Sequence, residues 1–433
     1  MNKIGLRKEE KLFETRVAII PSHVDKLHQE HDINFVVEPS NQRAFSESEY
    51  QSVGAQVLPL KGSSTPVILG IKEMPIDFFE KDVVYVFFSH TIKGQKYNMP
   101  MLRRIMDAGA TLIDYERVVD EKGRRLIFFG NWAGMAGISE TLRVLGERLE
   151  FEGIAPNPFA NLTPTLKLSG LDGLKEEFAL LGKRIKEQGL PKSLTPFIVG
   201  FAGYGNVSRG AQEIFDILPN KTVEPEELPN LDPRKDVIYK CVFREEHMVE
   251  PLEAGAEFDL NHYYKMGGKA YKGIFEKHIP YLTVLMNCIY WSAAYPRLVA
   301  REFIKKHWNE PDRRLRVIGD ISCDVQGAIE ITLHCTNPGA PAFTYLVDED
   351  RAEPGVAGRG PVIMAVDNLP CELPRESSTS FSETLLRFIP VLAETDFQTD
   401  FSTLGLPREL KDAVIVHRGK LTPKYEYLHE YLS

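Results

Sequence analysis

Cysteine, basic excess and long apolar runs are all scarce in this chain. Only five cysteines occur in 433 residues. Cys241, Cys288, Cys323, Cys335 and Cys371 form no CxxC pair and no Cys/His metal spacing, which excludes a zinc ribbon or a disulfide scaffold. The pattern predicts no metal site, and reduced, buried thiols in a cytoplasmic protein. No apolar run reaches the length of a membrane span, and Met1-Asn2-Lys3 leads straight into a short strand with no secretory core. The formal net charge of −9 argues against nucleic acid and anionic membranes as partners. No internal repeat or low-complexity segment is visible. What remains is a globular composition, 43% hydrophobic and 26% charged, in a chain long enough for two or three domains.

The stretch from Thr195 to Glu224 carries the strongest signal. Pro196 to Gly203 are all apolar or small and read as a buried strand, while Val207, Ala211, Ile214 and Leu218 form one helical stripe. Gly203-Tyr204-Gly205-Asn206-Val207-Ser208 therefore sits at a strand-to-helix turn. That is the setting of a dinucleotide pyrophosphate, which needs Gly203 for the tight turn, Gly205 for close backbone approach and helix N–H groups facing its charge. The third small position is Ser208 rather than Gly. Glu224 falls about 20 residues beyond Gly203, where a carboxylate would meet a ribose hydroxyl and favour NAD.

Apolar strands alternate with helices along the rest of the chain. Strands are expected at Ile4–Arg7, Asn34–Glu38, Val67–Gly70, Val83–Phe88 and Thr111–Asp114, with helices from Pro21 and from Met99 and a capping box at Ser46-Glu47-Ser48-Glu49. The glycines of Asn131–Gly137 open a long helix and suggest a crossing between domains, and a further helix covers 170–189. Later strands are read at Val237–Phe243, Leu282–Tyr290, Val317–Asp324, Ala342–Val347 and Val362–Val366. Helices are read near 380–393 and 407–414, before a polar end. The pattern predicts an α/β protein of two Rossmann-like domains with parallel sheets and an interdomain cleft. The expected boundaries are 1–131 plus 325–433 for a discontinuous substrate domain and 132–324 for the dinucleotide domain.

Ligands of open parallel sheets sit beyond the carboxyl ends of strands. Lys72 and Glu73 follow one expected strand, and His90, with Lys93 further on, follows the next. A desolvated lysine loses its proton more readily, and histidine titrates near neutrality, so the two suit acid–base work. Each alone is more often a solvated loop residue; together with a dinucleotide unit they become candidates. Arg7, Arg16, Arg124 and Arg125 offer forks for carboxylates, although surface solubility is the simpler reading for the last two. Glu116 is placed to tune neighbouring groups, and Asp320 and Asp324 end a strand near the expected cofactor.

These pieces together resemble the lysine-ketoglutarate reductases and lysine-forming saccharopine dehydrogenases, relatives of alanine dehydrogenase and transhydrogenase. The matching blocks are Ile4-Gly-Leu-Arg7, Glu14-Thr-Arg16, Gly70-Ile-Lys-Glu73, Phe88-Ser-His90, Gly123-Arg-Arg125, Gly203 to Ala211, Asn287-Cys-Ile-Tyr-Trp291, Gly319 to Asp324, Val366-Asp-Asn-Leu-Pro370 and Leu373-Pro-Arg-Glu-Ser377. The resemblance implies reversible condensation of lysine with 2-oxoglutarate to saccharopine, using NADP(H) or NAD(H). It implies Lys72 as base, His90 as proton carrier in imine formation, Glu73 and Glu116 as tuning groups, and Arg16 and Lys93 as carboxylate binders, with Gly203, Gly205, Asn287 and Asp320 along the cofactor. Arg7 joins the carboxylate binders on its own guanidinium. Glu224 favours NAD, the resemblance favours NADPH, and Arg209 offers an offsetting charge. The chain ends at Ser433, where the animal and plant reductases continue into a fused dehydrogenase; if the enzyme is catabolic, that second activity is expected from another chain. Two other readings stay open: an alanine dehydrogenase-like enzyme using pyruvate and ammonia, and a catalytically silent nicotinamide-binding scaffold. Small-molecule substrates are expected, with no nucleic acid and no membrane, and the oligomeric state is undetermined.

Overall fold

In a computed structural model, which describes residues 2–311 and 313–432, the apolar strands sort into two eight-stranded sheets and one two-stranded ribbon. Two units result, Met1–Phe129 with Pro374–Ser433, and Gly130–Leu373. The first begins with strands β1 (Lys3–Leu6), β2 (Asn34–Val37), β3 (Gln56–Val57), β4 (Val67–Leu69), β5 (Val84–Phe87) and β6 (Thr111–Asp114). All pair in parallel, in the order β6-β5-β4-β1-β2-β3. Helices α1 (Pro21–His31), α2 (Glu47–Gln51) and α3 (Met99–Asp107) connect them. The Ser46 hydroxyl accepts from Glu49 N–H while the Glu49 carboxylate accepts from Ser46 N–H, the reciprocal cap read from the sequence. Core strands β4 and β5 are buried along their whole lengths, so their side chains are apolar without alternation.

The second unit opens with α4 (Gly130–Phe151), followed by α5 (Gly170–Gln188), β7 (Ile198–Ala202), α6 (Asn206–Phe215), β8 (Asn220–Val223) and β9 (Ile238–Phe243). A ribbon of β10 (Val249–Pro251) and β11 (Tyr271–Gly273) precedes β12 (Val284–Asn287), β13 (Val317–Asp320), β14 (Ala342–Leu346), β15 (Arg351–Pro354) and β16 (Val362–Met364). The sheet runs β15-β14-β16-β13-β12-β7-β9-β8, parallel from β16 to β8, with β14 and β15 antiparallel at one edge. The unit thus extends to Leu373 and not to Asp324. Residues 325–373, expected in the first domain, add β14 to β16 here because Val362–Met364 pairs with β13. Helix α4 begins where the chain passes from the first unit to the second, and its glycines have a packing use as well. A Cβ on Gly134 would lie 1.9 Å from the Val207 carbonyl oxygen, and one on Gly210 would lie 2.0 Å from that of Asn131, so both permit α4 and α6 to cross in contact.

After Leu373 the chain returns to the first sheet. Helix Pro374–Leu385 is followed by β17 (Val414–His417), antiparallel to β6, and β18 (Lys420–Leu421), antiparallel to β17. A helix reaching Val414 and a polar end were expected. The helix stops at Lys411, and Val414–Val416 are fully buried as a strand.

Candidate functional site

Three parallel strand ends of the first unit bring the ionisable candidates together. Registers Leu69↔Val86 and Phe87↔Asp114 align the carboxyl ends of β4, β5 and β6, so Lys72-Glu73, Ser89-His90 and Asp114-Glu116 leave the sheet side by side. Glu73 Oε1 and His90 Nδ1 are 2.6 Å apart. Burial pushes the Glu73 carboxyl up, but the hydrogen bond and positive charge of His90, with smaller aid from Lys72, outweigh it and hold Glu73 at about 2. His90 has φ +48°, an uncommon left-handed conformation for a residue with a side chain. Asn98 secures it, its Nδ2 donating to the Ser89 and His90 carbonyls at 3.0 and 3.2 Å.

Lys72 loses affinity for its proton, first through desolvation and then through the charge of Arg16. Its backbone is fixed by Glu9, which reading the sequence did not single out. The Glu9 carboxylate accepts from Ile71 N–H at 2.6 Å and from Lys72 N–H at 3.0 Å, which orients the chain where it leaves β4. Desolvation, followed by repulsion from Glu14, raises the Glu9 carboxyl to about 7. In the sequence Glu9 is one of two adjacent glutamates in a charged loop, and only the fold shows that it is buried. Asp114, also buried, accepts from Ser89 and Glu116 N–H groups and from the Ser89 hydroxyl, and burial raises it to about 6.

The arginines divide. Arg16 is buried, its Nε 2.7 Å from Glu14 Oε1 and its guanidinium 4.1 Å above the Phe129 ring. Arg7 is not an open fork for substrate: it is buried, bonded to Glu38 and Glu10 and stacked 4.2 Å over Phe78, an arrangement that neutralises it inside the unit. Arg124 pairs with Asp120 at 2.7 Å on the surface, and Arg125 pairs with Glu116. Lys93 is exposed just beyond His90.

In the second unit β7 leads into α6 through the glycine turn. Gly203 has φ +92°, and a Cβ there would lie 2.9 Å from the Ile289 side chain; a Cβ on Gly205 would meet nothing within 4 Å, so its backbone is open to a ligand. Tyr204 and Asn206 are exposed, while Ser208 is fully buried and accepts from Gln212 at 2.9 Å, as a small packing residue should. Val207 packs against α4. Beside the turn lies a cavity of about 380 Å³, lined by Gly203, Gly205, Glu245, Tyr263, Ile289 and Tyr295 among others. An open glycine backbone, a helix N-terminus and an aromatic cavity fit a dinucleotide.

One cofactor expectation changes in the structure. Glu224 follows β8, and β9 lies between β8 and β7, so Glu224 does not end the strand beside the glycine turn. It caps the short helix Pro225–Asn230 instead. The neighbouring strand β9 ends at Phe243, whose carbonyl accepts from Gly203 N–H at 2.9 Å. Arg244 comes next, exposed, with its guanidinium 6.0 Å from the Tyr204 ring. Asn287 and Asp320, at paired positions of β12 and β13, are buried and bonded to each other at 2.9 Å, and Thr332 donates to Asp320 at 2.6 Å. Burial raises the Asp320 carboxyl to about 6. The pair holds the two strand ends together; Asp324 stands in the following loop.

Among the described residues no helix is long and apolar enough to cross a membrane. Residues 5–136 match the model of the alanine dehydrogenase/PNT N-terminal domain, and residues 269–424 that of the corresponding C-terminal domain. The chain is 35% identical to an alpha-aminoadipic semialdehyde synthase of Arabidopsis thaliana, over 99% of this chain and 42% of that protein. It is 30% identical to a saccharopine dehydrogenase (NAD+, L-lysine-forming) of Emericella nidulans, over 89% and 90% of the two chains. It spans less than half of the semialdehyde synthases it matches, 47% in the case of the rat protein. Among solved structures an L-alanine dehydrogenase aligns over 100% of both chains with a TM-score of 0.61 at 18% identity, a likeness of fold.

Proposed function

This chain belongs to the lysine-forming saccharopine dehydrogenase family, on the alanine dehydrogenase/PNT fold, and on that premise we propose that it condenses lysine with 2-oxoglutarate reductively to saccharopine. The observation that carries this reading is the pairing of a desolvated Lys72 with the His90–Glu73 couple at the ends of adjacent strands. An imine route needs a base and an acid that do not neutralise each other. Lys72, deprotonated more easily than an exposed lysine, takes a proton from the attacking ε-amine. His90 passes a proton to the departing hydroxyl, which leaves as water when the imine forms. Glu73 orients His90 through Nδ1, and Glu9 fixes the backbone of Lys72. Lys93, exposed beyond His90, is the cation assigned to substrate carboxylates, while Arg16, like Arg7, is bonded to a glutamate inside the unit. The nicotinamide, when bound, supplies the hydride that reduces the imine.

The cofactor in this reading is NADP(H). A ribose at the glycine turn meets the residue after the adjoining strand, and that residue is Arg244, a cation suited to a 2′-phosphate. Glu245 lies at the cavity's edge, where its carboxylate accepts from the Tyr264 hydroxyl at 2.5 Å. Following absorbance of NADPH or NADH with lysine plus 2-oxoglutarate, with either alone, or with pyruvate plus ammonium tests the proposal. NADPH oxidation only with lysine and 2-oxoglutarate together supports it. Turnover on pyruvate and ammonium without lysine, or no turnover in any mixture, defeats it.

A further inference from the structure

The loop after β13 carries two thiols that the proposed chemistry does not use. Gln326 N–H donates to the Thr332 carbonyl at 2.8 Å, folding residues 323–335 back on themselves. Stepping three residues outward from that bond in both directions arrives at Cys323 and Cys335, which therefore face each other at the base of the loop. Their contacts agree with this placement: Cys335 Sγ is 3.2 Å from the Cys323 carbonyl oxygen, and Cys323 Sγ donates to the Ala365 carbonyl at 2.8 Å. The Cys335 sulfur also bonds the Cys323 thiol, and that bond, with burial, raises Cys323 above its ordinary value. Cys323 is buried and has φ +57°, whereas Cys335 is exposed. Cys335 is the exception to the expected buried thiols. One reachable sulfur thus lies against one sheltered sulfur, the arrangement of an attacking and a resolving thiol.

We propose that Cys323 and Cys335 are a redox modification site, closing into a reversible disulfide when a low-molecular-weight disulfide such as oxidised glutathione is the oxidant. The Cys335 thiolate attacks one sulfur of the oxidant and expels the first thiol. Cys323 then attacks the Cys335 sulfur of the mixed disulfide and expels the second thiol. The two protein thiol protons end on the two released thiols, so the protein loses two electrons and the oxidant gains them. The new bond removes the Cys323 donor from Ala365 and pulls on a residue whose N–H binds Asp320 at 3.1 Å. Asp320 ties β13 to β12, and Cys288 and Ile289, which follow β12, line the dinucleotide cavity. Oxidation therefore weakens dinucleotide binding, a consequence that rests on the cofactor reading above.

Both cysteines lie on one tryptic peptide, Val317–Arg351, which has no internal lysine or arginine. Protein treated with oxidised glutathione, unfolded and alkylated should give this peptide lighter by two hydrogens and without alkyl groups; reduction before alkylation should restore two. Persistent glutathione on Cys335 with an alkylatable Cys323, or no oxidation, overturns the site. NADPH titration by fluorescence should show Kd raised about fivefold or more on oxidation, the lower end of typical coupling between sites, and unchanged in Cys335→Ser. An unchanged Kd in the fully oxidised wild type overturns the coupling. If the reduced protein binds no dinucleotide, the cofactor reading fails, and the peptide mass decides the disulfide alone.

Discussion

Replacing Arg244 by serine separates the cofactor assignment made from strand order from the one made from sequence spacing. Spacing places Glu224 at the ribose; strand order inserts β9 and places Arg244 there, beside the Tyr204 ring of the glycine turn. A charge-assisted hydrogen bond contributes about 1.5–3 kcal/mol, and each 1.4 kcal/mol is tenfold, so Arg244→Ser should lower kcat/KM for NADPH about ten- to hundredfold. NADH has no 2′-phosphate and should lose little. Because Arg244 is exposed, the preference for NADPH should also shrink as salt is raised. Glu224→Gln serves as the control, since Glu224 is the N-cap of another helix and follows the edge strand β8, so the change should leave the NADPH to NADH ratio unchanged. Initial rates with both cofactors, saturating lysine and 2-oxoglutarate, give the ratio directly. A ratio unmoved by Arg244→Ser but raised by Glu224→Gln would refute the strand-order argument.

Lys72→Met should lower kcat by about 10²–10⁴ while NADPH titration gives a wild-type Kd; equal losses in both would mean a structural role. Glu9→Gln should alter the pH dependence of stability. A carboxyl raised from 4.5 to about 7 costs nothing below pH 4.5, and the cost grows as the unfolded chain ionises first. It levels off above pH 7 at about 3 kcal/mol. Urea titrations at pH 5 and pH 8 should show wild type losing most of that difference and Glu9→Gln little of it; parallel losses would contradict the burial assigned to Glu9. Gly205→Ala should fold normally, because the new methyl meets nothing within 4 Å, yet raise the Kd for NADPH about tenfold or more by losing a backbone contact to the pyrophosphate. Unaltered binding would remove the pyrophosphate from that turn.

Elements defined by local pattern were legible in the sequence. Strand β7, helix α6 and the Ser46 box each rest on residues within one or two turns of one another, and they formed where apolar period and capping chemistry placed them. Elements whose partners lie far along the chain were not. Val414–His417 is apolar enough for a strand, and Arg418-Gly419, both at positive φ, make the tight turn to β18, but only pairing with β6 some 300 residues earlier decides it. The same reason explains residues 325–373. Their strands look alike from either domain, and pairing to β13 settles the question.

The site shows the same division at the level of single residues. That Lys72, Glu73 and His90 come together was legible because they follow apolar strands, and strand ends are where open sheets present groups. Arg7 follows β1 in the same way, yet its charge is used up inside the unit. The difference lies in what surrounds each group: Glu38 and Glu10 neutralise Arg7, whereas Lys72 has Arg16 nearby and lies where burial penalises its charge. Position along a strand therefore selects candidates, and neighbouring charge separates a structural cation from a group able to give up its proton. Glu9 completes the argument. It holds the Lys72 backbone, and because burial raises its carboxyl to about 7, it carries only part of the negative charge at neutrality that an exposed glutamate would place beside Lys72.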